Sequence, residues 1–330
     1  MLRLPAFELC RPETLEEAAS LLAEGPGRVR LLAGGTDLFP NLKRRHQKAE
    51  VVVSLSKVPG LSGIREEADR AIVIGAGTTL SEMAASELLR AELPALVAAV
   101  ASISAPVLRN MGTLGGNLCL DTRCTYYNQT EEWRRSIDFC MKEEGQVCWV
   151  APGSPRCWAV SSSDSAPMLC ALEAEVRLVS SQGERWLPLP SLYQDDGIAY
   201  LAKRPEEILT AVKVPAASRA AGCRSAFAKL RRRGSIDFAV LTVGAAVWLA
   251  DDGTVEKARV FLGAVASQPV EAGPTAQALL GKTLDPETIR AAADLARREA
   301  TPMDNTDLSP AWRGAVLPRY VEAVLRECAA

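Results

Sequence analysis

A single histidine, His46, stands in 330 residues, and that scarcity removes several chemistries at once. Histidine-rich zinc sites, Rieske centres and Ser-His-Asp catalysis all require imidazoles that this chain cannot supply. His46 itself follows the basic stretch Lys43-Arg44-Arg45, which reads as solvated surface. An excess of charge of one sign is also missing. The 38 basic and 40 acidic residues are interspersed and leave a formal net charge of −2, so the footprint that nucleic acid binding requires is absent. Long apolar runs are lacking too: the longest, Phe238 to Ala250, is too short to cross a bilayer. The opening MLRLPAFELCRPETL has no charged segment followed by an apolar one. A cytoplasmic protein with neither membrane nor nucleic acid partners is expected. No internal repeat or low-complexity tract occurs.

What is present is ordinary apolar content, 48%, enough for two or three domains with buried cores, and nine cysteines. In a reducing compartment cysteines are poor disulfide candidates, and clustered ones point to metal or redox chemistry. Five of the nine fall between Cys119 and Cys157.

The first half alternates helix-like and strand-like segments. Thr14-Leu15-Glu16-Glu17 forms a capping box before an amphipathic run to Leu22. Arg30–Ala33, Val51–Leu55 and Ala71–Ile74 read as strands, Leu80–Leu89 and Pro94–Ser102 as helices. Beyond about residue 215 the pattern becomes a three-stranded meander, Ser225–Arg231, Phe238–Leu249 and Val255–Val265, followed by three helices. The last helix opens on Ser309-Pro310 and runs to about Cys328. The first domain, over 1–217, therefore reads as α/β or α+β, and a second covers 218–330.

Two glycine turns carry the ligand chemistry. Leu31-Leu32-Ala33-Gly34-Gly35-Thr36-Asp37-Leu38 is a short strand running into a glycine pair and a short helix. Glycines let successive amides converge on an anion such as a pyrophosphate. Thr113-Leu114-Gly115-Gly116-Asn117 is a second such turn, and positive φ is expected at Gly35 and Gly116. Neither has the G-x-G-x-x-G spacing of a Rossmann fingerprint, so a dinucleotide would be held by another fold.

AGGTDL together with RNMGTLGGN resembles the FAD-binding subunits of xanthine dehydrogenase and carbon monoxide dehydrogenase, members of the molybdenum hydroxylase family. The resemblance extends to Ser163-Asp164-Ser165-Ala166-Pro167 and to the segment from Lys229 to Ala239. It implies an FAD-binding domain of the vanillyl-alcohol oxidase type, split into two subdomains, and a C-terminal α+β domain with a three-stranded sheet and helices. By this resemblance Leu31, Leu32, Ala33, Gly34, Gly35, Thr36, Asp37 and Leu38, with Thr113, Gly115, Gly116 and Asn117, hold the pyrophosphate and ribose. Thr79 and Ile103 lie nearby, Asp164 bonds to the flavin or ribitol side, and Lys229 lies near the isoalloxazine.

Asn117 and Ser163 are 46 positions apart, where the family pattern spans roughly a dozen. The extra segment, about residues 121–162, carries Cys124, Cys140, Cys148 and Cys157 at separations of 16, 8 and 9. Four cysteines without histidine suit a soft thiolate site, and by chemistry alone zinc or an iron–sulfur cluster would serve. The insertion, with its NLC, DTRCT and YNQ runs, resembles that of the 4-hydroxybenzoyl-CoA reductase FAD subunit, which implies a 4Fe-4S cluster on these four residues. Cys119, Cys10, Cys170, Cys223 and Cys328 read instead as buried packing residues. Tyr126, Tyr127, Trp133, Phe139, Trp149 and Trp158 are expected to give this loop its own apolar packing.

The resemblance further implies partners: a large molybdenum-cofactor subunit and a small subunit with 2Fe-2S clusters, in a dimer of heterotrimers, with a ferredoxin-like donor. The chain itself offers no acid, base or nucleophile, so the reductive removal of a phenolic hydroxyl would occur in the molybdenum subunit. Three other readings remain: the FAD subunit of a molybdenum hydroxylase acting on an N-heterocycle or aldehyde, a self-contained flavin oxidoreductase, and a non-enzymatic zinc-stapled binding module.

Overall fold

The computed structural model describes residues 2–330, and its strands form three separate sheets. The first is a small parallel sheet of β1 (Glu8–Cys10), β2 (Val29–Leu32) and β3 (Val51–Ser54), in the order β1-β3-β2. Helices Leu15–Glu24 and Leu38–Lys43 form its crossovers. Thr14 caps the first, its hydroxyl accepting from Glu17 N–H at 3.1 Å. The reciprocal half of the expected capping box is replaced: the Glu17 carboxylate accepts from Glu13 N–H, one residue earlier. A complete capping box occurs elsewhere, at Thr79 and Glu82.

The second sheet is antiparallel, with β4 (Ile64–Glu66), β5 (Ile72–Gly75), β6 (Glu175–Ser180), β7 (Gly183–Pro188) and β8 (Ile208–Val214) in the order β4-β5-β8-β6-β7. One face of it packs into the largest core, where Ile72, Ile74, Val176, Val212 and Val214 meet helices Leu80–Ala85, Pro94–Ala101 and Ser165–Ala171. The single helix expected over Leu80–Leu89 is broken at Ser86. That residue leaves the helical conformation (φ −63°, ψ 120°) and its hydroxyl caps a second helix, Glu87–Glu92, a choice open to serine because its side chain can replace a backbone acceptor.

The third sheet has four strands where three are expected: β9 (Cys223–Leu230), β10 (Leu241–Leu249), β11 (Val255–Gly263) and the two-residue β12 (Val270–Glu271), ordered β12-β11-β10-β9. A two-residue strand carries no periodicity for a sequence pattern to register. Helices Gly273–Gln277, Pro286–Ala296 and Pro310–Ala329 follow, and the last is capped by Ser309. Phe238, Ala239 and Val240 stay outside β10 and form part of the loop before it.

Helix Ser165–Ala171 is buried along its whole length and joins the second and third sheets. It can do so because Gly244 and Gly263 have no side chains: a Cβ at Gly244 would lie 2.8 Å from the Met168 backbone, and one at Gly263 2.6 Å from the Pro167 ring. This close seating sets Asp164, at the helix start, against Lys229 on β9. No helix among the described residues is long and apolar enough to cross a membrane.

Candidate functional site

A cleft of about 800 Å³ opens among the first sheet, the second sheet and the loop before β10, within the size range of small-molecule and cofactor sites. Of the sixteen residues expected at a cofactor, fourteen line it: Leu31, Ala33, Gly34, Gly35, Thr36, Asp37, Leu38, Thr79, Ile103, Thr113, Gly115, Gly116, Asn117 and Asp164. Leu32 and Lys229 are not in its wall. Leu32 packs over Gly35, where an added Cβ would meet its Cδ1 at 3.0 Å, and Lys229 reaches the cleft only through Asp164.

The two glycine turns touch. A Cβ on Gly34 would overlap the carbonyl oxygen of Met111, just before the second turn. Leu80 N–H donates to Gly112 O at 2.9 Å and Leu114 N–H to Thr78 O at 3.0 Å, linking the second turn to the Thr79 segment. The amides of the two turns differ in their engagement. Among the described residues none accepts from the N–H of Gly34, Gly35 or Thr36. Gly115 N–H, by contrast, donates to Ala76 O at 2.8 Å, Gly116 N–H to Thr113 Oγ1 at 3.2 Å and Asn117 N–H to Thr113 O at 2.9 Å. A run of three successive unengaged amides is thus found at the first turn and not at the second. Positive φ is likewise found at Gly35 (+70°) and not at Gly116, because Gly116 lies within the short helix Leu114–Leu118.

Several lining residues already have structural partners. Thr79 exchanges bonds with Glu82 in its capping box, and the Ile103 carbonyl accepts from Arg109 Nη1 at 2.7 Å. Asn117 Oδ1 accepts from Ser163 Oγ at 2.9 Å and Ser165 Oγ at 2.6 Å, which holds the Asp164 turn in place. Asp164 is different. Its Oδ2 accepts from Lys229 Nζ at 2.6 Å, while Oδ1 is buried and has no partner among the described residues. Burial pushes its carboxyl up to about 6 against the pull of Lys229. An orphaned buried acceptor in the wall, with three unengaged amides across the cleft, fits a ligand that is anionic at one end and carries hydrogen-bond donors at the other, as FAD does.

Segment 121–162 is mostly turns with one short helix, Glu131–Ser136, and a bridge between Arg123 and Val160 joins its two ends. Cys124, Cys140 and Cys157 share one buried pocket with Tyr127 and Ala159, and Cys148, also buried, lies within electrostatic reach of Cys140 and Cys157. Burial raises the Cys124 thiol to about 12 and the Cys157 thiol to about 11, and raises Cys140 as well. Opposing this, backbone amides favour the thiolates: Tyr126 and Tyr127 at Cys124, Lys142 at Cys140, and Ala159 at Cys157, 3.4 Å from the sulfur. Among the described residues no three His, Cys, Asp or Glu side chains converge closely enough to hold a single metal ion.

Other expectations need correction. His46 is buried, not solvated: the segment lies over it, with Nε2 3.1 Å from Gln129 O and the Tyr127 ring centroid 4.8 Å away. That burial pushes the imidazole down to about 4. The same contact buries Arg134, which donates to Arg44 O at 2.7 Å and pairs with Glu143. Cys170 and Cys328 are buried as expected, but Cys10 and Cys223 are only partly so, and Cys119 touches the cleft. Of the six aromatics only Tyr127 is fully buried; Trp133 and Trp149 stay well exposed.

Sequence reasoning also missed part of the wall. Leu120, Asp121 and Arg123, at the start of the cysteine-bearing segment, line the cleft. Arg123 pairs with Asp37 and lies 4.5 Å over the Phe238 ring. Asp121 accepts from Lys142 Nζ at 2.9 Å and Gln47 Nε2 at 3.1 Å. The available signal was position: Arg123 directly precedes Cys124.

Residues 5–217 match the FAD binding domain in molybdopterin dehydrogenase, and residues 225–328 the CO dehydrogenase flavoprotein C-terminal domain. The carbon monoxide dehydrogenase medium chain of Hydrogenophaga pseudoflava is 29% identical over 98% of this chain and 99% of its own length. That of Afipia carboxidovorans is 30% identical over 96% of each. The xanthine dehydrogenase FAD-binding subunit of Escherichia coli O157:H7 is 25% identical over 97% of this chain and 95% of its own. A solved structure of carbon monoxide dehydrogenase from Hydrogenophaga pseudoflava superposes with a TM-score of 0.81 at 27% identity, covering 99% of this chain and 98% of that one. With the cleft, the paired glycine turns and both matched domains in agreement, the chain belongs to the FAD-binding medium-subunit family of the molybdenum hydroxylases.

Proposed function

We propose that this chain is the FAD and 4Fe-4S electron-transfer subunit of a molybdenum hydroxylase complex of the 4-hydroxybenzoyl-CoA reductase type. The observation that carries the reading is a buried cluster of Cys124, Cys140 and Cys157, with Cys148 buried in the same segment, that begins directly after Arg123 of the flavin cleft wall. FAD and a cluster would supply electron transfer. The chain would bind and orient them: the Gly34–Thr36 amides and the Asp164 carboxylate at the flavin, and Cys124, Cys140, Cys148 and Cys157 at the cluster. Ligands of one zinc ion must all lie about 2.3 Å from it. A four-iron cluster spreads its thiolates over four metals, so a wider cysteine pocket suits it better. Cluster binding must displace thiol protons, and burial favours the protonated form at Cys124, Cys140 and Cys157.

In this reading the domains divide at 217/218 and the complex is cytoplasmic. Its partners are a large molybdenum-cofactor subunit and a small subunit with 2Fe-2S clusters, in a dimer of heterotrimers fed by a ferredoxin-like donor. Reductive removal of a phenolic hydroxyl from an aromatic thioester takes place in the large subunit. A second reading has an observation of its own: relatives that match over most of the chain include a nicotinate dehydrogenase FAD-subunit of Eubacterium barkeri and an aldehyde oxidoreductase FAD-binding subunit of Escherichia coli. On that basis the complex would oxidise an N-heterocycle or an aldehyde.

Anaerobically purified protein tests the proposal through its FAD, iron and acid-labile sulfide content. The expected result is one FAD with roughly four iron and four sulfide per chain, and loss of iron and sulfide on changing any one of Cys124, Cys140, Cys148 or Cys157 to Ser. Cys170→Ser should spare them. Full iron and sulfide in all four variants would overturn the assignment of these cysteines as ligands, and zinc in place of iron would remove the cluster from the reading and leave the second one.

A further inference from the structure

We propose that Arg123 is an anion ligand of the flavin cleft, binding the pyrophosphate of FAD together with the amides of Gly34, Gly35 and Thr36. The inference rests on the FAD reading and adds to it a residue outside both glycine turns.

Its backbone is fixed from both sides. Arg123 N–H donates to Val160 O at 2.8 Å and Val160 N–H donates to Arg123 O at 2.6 Å, so the two ends of the cysteine-bearing segment lock the position from which the side chain projects. The side chain lies along the cleft wall with 16% of its surface exposed. Its guanidinium stacks 4.5 Å over the ring of Phe238, which fixes its plane and helps a planar fork meet phosphate oxygens without further ordering.

The donors are in surplus. A guanidinium carries five N–H groups, and here one nitrogen, Nη2, reaches a protein acceptor, Asp37 Oδ1. Nε is buried and has no partner among the described residues, a costly state for a donor unless a ligand supplies the acceptor. The location supports the same ligand: Asp37 follows Thr36, so Arg123 is anchored to the very turn whose amides are unengaged. A pyrophosphate bridge brings two negative charges and several oxygens. Amides alone supply hydrogen bonds without a full countercharge, which a guanidinium adds.

The alternative is that Arg123 merely neutralises Asp37 and ties the segment down. Three probes separate the two roles in the full chain freed of flavin: FAD, ADP, which carries the pyrophosphate without the flavin, and riboflavin, which carries the flavin without the pyrophosphate. Arg123→Gln should weaken FAD and ADP by roughly tenfold or more, leave riboflavin within about twofold, and flatten the salt dependence of ADP binding. Arg123→Lys should recover part of the ADP affinity, since it keeps the charge and loses the fork. Unchanged ADP affinity in Arg123→Gln would overturn the proposal, and so would an equal loss for riboflavin, the signature of a collapsed wall. Both outcomes hold at any iron content, because selectivity among the three probes is read whether or not the cysteine pocket survives. A wild-type chain that binds none of the three would instead overturn the flavin reading, and Arg123 with it.

Discussion

The two glycine pairs of this molecule are alike in sequence and unlike in use. Gly34-Gly35 follows a parallel strand, takes a left-handed step at Gly35, and leaves three successive amides without acceptors among the described residues. Gly115-Gly116 sits in a short helix capped by Thr113, and its amides are engaged within the protein. Glycine at the second pair serves through the absence of a side chain: a Cβ at Gly115 would come within 2.8 Å of Ala76 Cβ, while one at Gly116 would meet only Thr113 Oγ1, at 3.1 Å. The dipeptide therefore marks two different devices, one an anion cradle and the other a thin wall.

Substitutions can break or sharpen that contrast. The largest effect is expected at Gly34→Ala, whose methyl group would overlap the Met111 carbonyl and force the two turns apart. A loss of about 3 kcal/mol or more in unfolding free energy, with FAD binding abolished, is the expected outcome in chemical denaturation and flavin titration. A stable, FAD-replete Gly34→Ala protein would show that the turns need not touch. Gly116→Val should act more locally, since its side chain has room beyond Thr113. Stability should fall by about 1 kcal/mol from the tight contact of the new Cβ with Thr113 Oγ1 while FAD affinity drops at least about tenfold, because the added bulk enters the cleft and no amide contact is removed. If denaturation midpoint and FAD affinity fell together as far as in Gly34→Ala, the thin-wall description would fail. Thr113→Ala should be mildest: it removes one cap at a cost of about 1 kcal/mol and changes FAD affinity only a few-fold. Complete loss of FAD there would make the Thr113 hydroxyl a principal ligand contact instead of a cap.

How much of the fold and of the cleft is legible in the sequence follows the range of the interactions. The strands β2, β3 and β5 and the helix starting at Pro310 are readable because apolar periodicity, Ser-Pro caps and turn residues act within a few positions. The break at Ser86 is not, because serine suits a helix surface and a cap almost equally, and packing decides between them. His46 misleads for a related reason. Its neighbours in sequence are three cations, but its neighbours in space are the Gln129 carbonyl and the Tyr127 ring, 83 and 81 positions away.

The sequence by itself determined the inventory: two glycine turns, the Ser-Asp-Ser run, Lys229, and four closely spaced cysteines in a chain with one histidine. These are chemical identities and local conformations, set by side-chain type and by backbone freedom at glycine. The tertiary structure alone decided which of them face one another. It left the first turn's amides free and engaged the second's, placed Lys229 behind Asp164 and outside the cleft wall, and brought Arg123 from the cysteine-bearing segment to Asp37. The last two outcomes depend on contacts between residues 65 and 86 positions apart, and such contacts arise from the packing of whole sheets and helices, which no local pattern encodes.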